Sequence, residues 1–64
     1  MEELKAGDRI IVLNSLKAVI EEEGWDEDML ELLGNIYTIC HINGEVIYLD
    51  KIPFILYKEY IKKV

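Results

Sequence analysis

The dipeptide Asn43-Gly44 splits the most β-prone stretch of the chain into two halves, and it constrains the fold more than any other feature. Before it, residues 36–42 (Ile-Tyr-Thr-Ile-Cys-His-Ile) are rich in β-branched and aromatic side chains; after it, residues 45–49 (Glu-Val-Ile-Tyr-Leu) repeat the pattern. Asn-Gly between two such runs is the strongest short-range hairpin signal. An antiparallel pair turning at Asn43-Gly44 is therefore expected. A hairpin alone is marginal in water, so the rest of the chain must supply further strands or a helix to cover its apolar face.

Residues 9–13 provide the next strand, with Ile10 and Val12 on one face and Arg9 and Ile11 on the other. Gly7-Asp8 before it is a turn dipeptide that ends a short lead-in over residues 1–8. Residues 26–33 read as a short helix. Asp26 suits the N-cap, Glu27 and Asp28 the first turn, Met29, Leu32 and Leu33 form an apolar stripe, and Gly34 fits just past the end. The segment Asp50-Lys51-Ile52-Pro53 breaks the pattern. Residues 54–56 then form a strand, residues 57–59 a tight turn and residues 60–63 a last strand.

Residues 14–24 can be read in two ways. Leu16, Val19 and Ile20 have helical spacing, Asn14 or Ser15 could cap the start, and Gly24 could close the end. Against a helix, Glu21, Glu22 and Glu23 would sit where the helix dipole disfavours negative charge. A long, irregular hairpin loop is the preferred reading. Five short strands, one short helix, a long first loop and a tight turn before the last strand add up to a mainly β chain closed into a small barrel. It forms one domain over residues 1–64, and closure would leave no exposed sheet edge.

A chain of this length hides only about 60% of its unfolded surface. Its single cysteine, Cys40, rules out an internal disulfide, so the 52% hydrophobic composition must supply the core. A lone cysteine fits a reducing compartment. The opening Met1-Glu2-Glu3-Leu4-Lys5 lacks the pattern of a secretory signal, and no apolar run is long enough to span a membrane. The expected location is the cytoplasm.

The signals, taken in order, resemble the small SH3-like barrel proteins frequent in bacteriophage and prophage genomes. The likeness is carried by Gly7-Asp8-Arg9-Ile10-Ile11-Val12, and by Met29 to Leu33 leading into Gly34. Tyr37-Thr38-Ile39 followed by Ile42, and the aromatic segment from Phe54 to Ile61, complete it. Where that family often carries a tryptophan near the end, this chain has Phe54-Ile55-Leu56-Tyr57. The resemblance implies a five-stranded SH3-like barrel and an accessory protein that works by binding inside a bacterial host cell. It brings no catalytic residues.

The remaining chemistry points the same way. Cys40 and His41 are neighbours on a strand, so their side chains should face opposite sides and cannot form a nucleophile–base pair; Cys40 reads as a semi-buried filler and His41 as a surface residue. Two cysteine or histidine ligands are too few for structural zinc, and Asp26-Glu27-Asp28 lacks the pattern of a calcium loop. No enzyme activity and no cofactor are expected. The net charge is −6, with one arginine in the chain, which disfavours direct nucleic-acid binding. A minority reading would use the lysine-rich end, Lys51, Lys58, Lys62 and Lys63.

Seven carboxylates and no base lie between residues 21 and 31. Within this stretch Glu21, Glu22, Glu23, Asp26, Glu27 and Asp28 flank Trp25, the single tryptophan. An aromatic anchor among negative charges suits a host protein with a basic surface, including one whose natural ligand is nucleic acid. The bland reading folds Trp25 over the barrel mouth and leaves the carboxylates as a solubilising surface. Two further readings are a tyrosine groove for a proline-rich peptide (Tyr37, Tyr48, Tyr57, Tyr60), and self-association through Ile47, Leu49, Phe54, Ile55 and Leu56.

Overall fold

The computed structural model describes residues 3–64, so the lead-in expected over residues 1–8 begins outside the described residues. Strands β1 (Arg9–Val12), β2 (Ile36–Asn43), β3 (Val46–Leu49), β4 (Ile55–Tyr57) and β5 (Ile61–Lys63) form one antiparallel sheet in the order β4-β3-β2-β1-β5. The chain is mainly β. Helix α1 (Leu16–Glu23) and a 3-10 helix (Glu27–Leu32) lie between β1 and β2, and a 3-10 turn (Lys58–Tyr60) joins β4 to β5.

Strand β2 organises the sheet. Its first half pairs with β1 (Ile10↔Tyr37) and its second half with β3 (Ile42↔Ile47), with a register shift between Ile39 and His41. Cys40 is the extra residue of a β-bulge, which bends a strand and lets it serve two half-sheets. The bulge also resets the alternation of side chains. Tyr37 and Ile39 point inward on one side of it and Ile42 on the other, while Cys40 and His41 are both exposed. Cys40 is a surface residue and not the semi-buried filler expected of a lone cysteine.

The hairpin forms, with its turn one residue later than expected. Asn43 pairs with Val46, which leaves Gly44 and Glu45 as the loop. Gly44 has φ 63° and Glu45 has no positive φ. Glycine at the first central position is the requirement of a II′ hairpin turn.

Three expectations are corrected. Residues 16–23 are α-helical rather than an irregular loop, because Leu16 and Ile20 bury completely or nearly so (0% and 2% exposed). Burying two such side chains contributes about 1.5–3 kcal/mol each. Unfavourable charge at a helix C-terminus costs about 0.3–1 kcal/mol and is screened where exposed, as Glu21, Glu22 and Glu23 are. The segment expected as the short helix is instead a 3-10 helix. It keeps the expected cap, since the Asp26 carboxylate accepts from the Asp28 N–H at 2.9 Å, and it buries Met29 and Leu32. The sheet, moreover, is not closed by hydrogen bonds: β4 and β5 are its two edges.

The core consists of Ile10, Val12, Leu16, Ile20, Met29, Leu32, Ile39, Ile47, Leu49, Leu56 and Ile61, with no buried charged side chain among the described residues. Three residues expected as surplus apolar surface, Ile47, Leu49 and Leu56, therefore belong to the core. Substitution should separate the two faces of the β3–β4 pair. Ile47→Ala is expected to cost about 2–4 kcal/mol, most of what so small a core supplies. Ile55→Ala, on the exposed face, should stay within about 0.5 kcal/mol. Urea unfolding of both variants checks this, and equal losses would contradict the assigned faces.

Candidate functional site

Two local signals set the position of Trp25. Gly24 ends α1 in the left-handed region, with φ 71°, and the Trp25 N–H reaches back to the Ile20 carbonyl at 3.0 Å. That bond is the 6→1 closure of a Schellman motif, which is commonly joined by an apolar contact between the residue after the glycine and the last helical turn. Asp26 then caps the 3-10 helix. Trp25 is the single residue between a stop and a start, and its half-buried side chain packs against the core.

The indole meets two rings from the other end of the chain. Its centroid lies 6.1 Å from that of Tyr57 and 6.3 Å from that of Tyr60, and the two tyrosines are 6.5 Å apart. The Trp25–Tyr60 pair is edge-to-face, a favoured aromatic geometry. Tyr57 ends β4 and Tyr60 ends the 3-10 turn, so the cluster sits where the chain passes from one sheet edge to the other.

Beside the cluster runs an open groove of about 410 Å³. Trp25, Asp26 and Met29 from the connection between β1 and β2 line it, together with Pro53, Phe54, Ile55 and Tyr57 from β4 and the residues just before it. The lining is mostly apolar, and Asp26 is the charged residue in it. Burial, reinforced by Glu59 and by the charges of Glu59 and Glu23, holds the Tyr60 phenol above its ordinary pKa. Glu23 from α1, Asp26 from the groove wall and Glu59 from the 3-10 turn thus flank the aromatic cluster. Glu21, Glu22, Glu27 and Asp28 are exposed.

Of the seven residues singled out in the sequence, the structure gives two a definite role in shaping the site. Trp25 forms the wall, and Asp26 both caps a helix and lines the groove. Reading the sequence alone missed Tyr57 and Tyr60 as partners of Trp25, because nothing local to residues 21–31 indicates which distant segment they meet. The four-tyrosine groove does not assemble. Tyr37 is half-buried in the core, and Tyr48 sits on the outer face of β3 with its ring 5.6 Å from that of His41. At the lysine-rich end Lys58, Lys62 and Lys63 share a hollow with Glu3 and Glu45, and Lys63 pairs with Asp8 at 3.6 Å. Of the residues proposed for self-association, Ile55 is exposed and Phe54 half-buried.

Among the described residues no helix is long and apolar enough to cross a membrane. No protein-family model matches the chain, and no curated protein or solved structure gives a match.

Two outcomes test how the site is built. An alanine at position 24 must adopt a left-handed conformation that costs about 1–2 kcal/mol. Gly24→Ala should therefore lower stability by that amount and change the fluorescence of Trp25; loss of stability with unchanged emission would uncouple the helix stop from the indole. The second outcome follows from Tyr60. A phenol whose pKa is raised by folding favours the neutral form, so its contribution is present below about pH 10 and lost as pH rises through the folded value. Ultraviolet titration should show a phenolate component above the ordinary tyrosine range that disappears in Tyr60→Phe.

Proposed function

We propose that this protein is a non-enzymatic binding module that presents the Trp25 groove and its surrounding carboxylates to a basic surface on another protein. The observation that carries this reading is the juxtaposition of an apolar, aromatic-walled groove with the most acidic segment of the chain. Large aromatics dominate binding energetics when they enter or wall a pocket. Charge around them speeds encounter and selects oppositely charged partners.

The finer reading of the fold is an SH3-like barrel. It is supported by the strand order, by the bulged strand shared between two half-sheets, and by the 3-10 turn between the last two strands. With the sequence resemblance, this makes an accessory protein of a phage or prophage the favoured role, acting in the bacterial cytoplasm on a host protein. A surface that normally holds nucleic acid is a natural target. The carboxylates of Glu21, Glu22, Glu23, Glu27 and Asp28 would take the positions of phosphates, and occupancy would block the host protein's own ligand.

Capture of binding proteins from a bacterial lysate at low and then high salt, with wild-type and variant bait, tests this. A basic protein should bind at low salt and elute at high salt. Trp25→Ala should weaken its binding by about tenfold or more. Serine at Glu21, Glu22, Glu23, Glu27 and Asp28 together should weaken it and flatten its salt dependence. Binding that survives both changes would reduce the acidic face to a solubility device.

A further inference from the structure

The two edges of the sheet are not alike. The β5 edge carries Lys62 and Lys63, charges of the kind that natural proteins place on edge strands to block pairing with another chain. The β4 edge, Ile55–Tyr57, carries no charge at all, and Ile55 and Tyr57 are 43% and 37% exposed.

The backbone of β4 is also available. The Lys58 N–H donates to the Glu45 carbonyl at 3.1 Å, one step beyond the Val46↔Tyr57 pair. Bonded and non-bonded pairs alternate along an antiparallel ladder. Ile47↔Leu56 is therefore a bonded pair, and the N–H and C=O groups of Ile55 and Tyr57 turn away from β3. As N-cap of the 3-10 turn, Tyr57 gives its C=O to the first bond of that turn, which leaves the N–H and C=O of Ile55 and the N–H of Tyr57 for a further strand. Ile55 and Tyr57 of this edge line the groove together with Trp25, Asp26 and Met29.

We infer that the groove takes an extended, lysine- or arginine-bearing segment of a partner protein, which adds to the sheet as a further strand against β4. The inference rests on the reading of the acidic face as a binding surface and specifies what enters it. The incoming backbone pairs with the N–H and C=O of Ile55 and with the N–H of Tyr57. Alternate apolar side chains enter the groove between Trp25, Met29 and Phe54, and the basic side chains meet Asp26 and the neighbouring carboxylates. Charge selects this occupant over a second copy of the chain: β4 against β4 would bring two acidic groove walls together on molecules of net charge −6. Strand addition uses main-chain bonds for affinity and pockets for alternate side chains.

The test uses the full chain and a synthetic peptide of alternating lysine and isoleucine, followed by amide NMR shifts and titration. Four control peptides accompany it: one with glutamate for lysine, one of alternating lysine and proline, and two N-methylated series with the methyl groups on opposite alternate residues. The lysine–isoleucine peptide should shift residues of β4 and the Trp25 indole. One N-methylated series should bind on the order of tenfold more weakly, because it removes the bonds to β4, while the other should bind as the parent does. Equal binding by both series, preference for the proline peptide, or no shift at millimolar peptide would overturn strand addition. Each of these leaves the acidic-face reading to the lysate capture. Equal binding of the glutamate and lysine peptides, with the methylation pattern intact, would instead overturn the charge selection and with it the acidic-face reading.

Discussion

The single extra residue at Cys40 determines which side chains of the second half of the sheet face the core. In an uninterrupted β2, strict alternation from Ile39 would turn His41 and Asn43 inward and leave Ile42 outside. The bulge reverses this beyond Cys40, so that Ile42 lies inward beside Ile47 and His41 outward beside Tyr48. The same residue bends the strand, so that β1 and β5 pair with one half of the sheet and β3 and β4 with the other. Leu49 and Leu56 reach the common core from that second half. Without the bulge, polar side chains would meet an apolar core that has no partner for them, and such burial is costly. The rest of the molecule, including the position of the β4 edge, depends on that reset.

Hydrogen bonds leave the sheet open, and side chains bridge its ends. A three-residue 3-10 turn connects β4 to β5, the two edges. At this junction the rings of Trp25, Tyr57 and Tyr60 stand against one another. Trp25 comes from the connection between β1 and β2, on the far side of the sequence. The aromatic cluster thus ties the acidic segment to the gap between the edges. The apolar contact explains why so acidic a segment lies close to the body of the protein despite the mutual repulsion of its carboxylates.

Much of this was legible in the sequence, and the failures have physical causes. The strands, the hairpin and the 3-10 turn near the C-terminus follow from local composition, and Asp26 was readable as a cap from the residues beside it. The helix Leu16–Glu23 was misjudged because three glutamates at its end weigh against it locally. The burial of Leu16 and Ile20 that outweighs them is a tertiary effect. The bulge left a trace in the spacing of three between Ile39 and Ile42, which regular alternation does not produce. For the site, Trp25 and its carboxylates stood out as unusual residues. Their meeting with Tyr57 and Tyr60 could not be read, since it joins segments that lie about half the chain apart.

Charge that is segregated along the sequence becomes segregated in space, and this gives the two sheet edges different characters. Asp26 lines the groove beside Ile55 and Tyr57 of β4 and Glu23 lies near Tyr60, whereas Lys62 and Lys63 lie on β5. An unguarded edge is ordinarily a liability, because any exposed strand with unpaired N–H and C=O groups invites aggregation. Here the apolar edge lies beside a strongly acidic neighbour that repels other copies of the same acidic chain. The basic segment proposed as its partner would meet the opposite sign of charge there. On the proposed reading, a charge pattern that opposes self-pairing and favours a basic partner would account at once for the absence of lysine from β4 and for the carboxylate of Asp26 in the groove beside it.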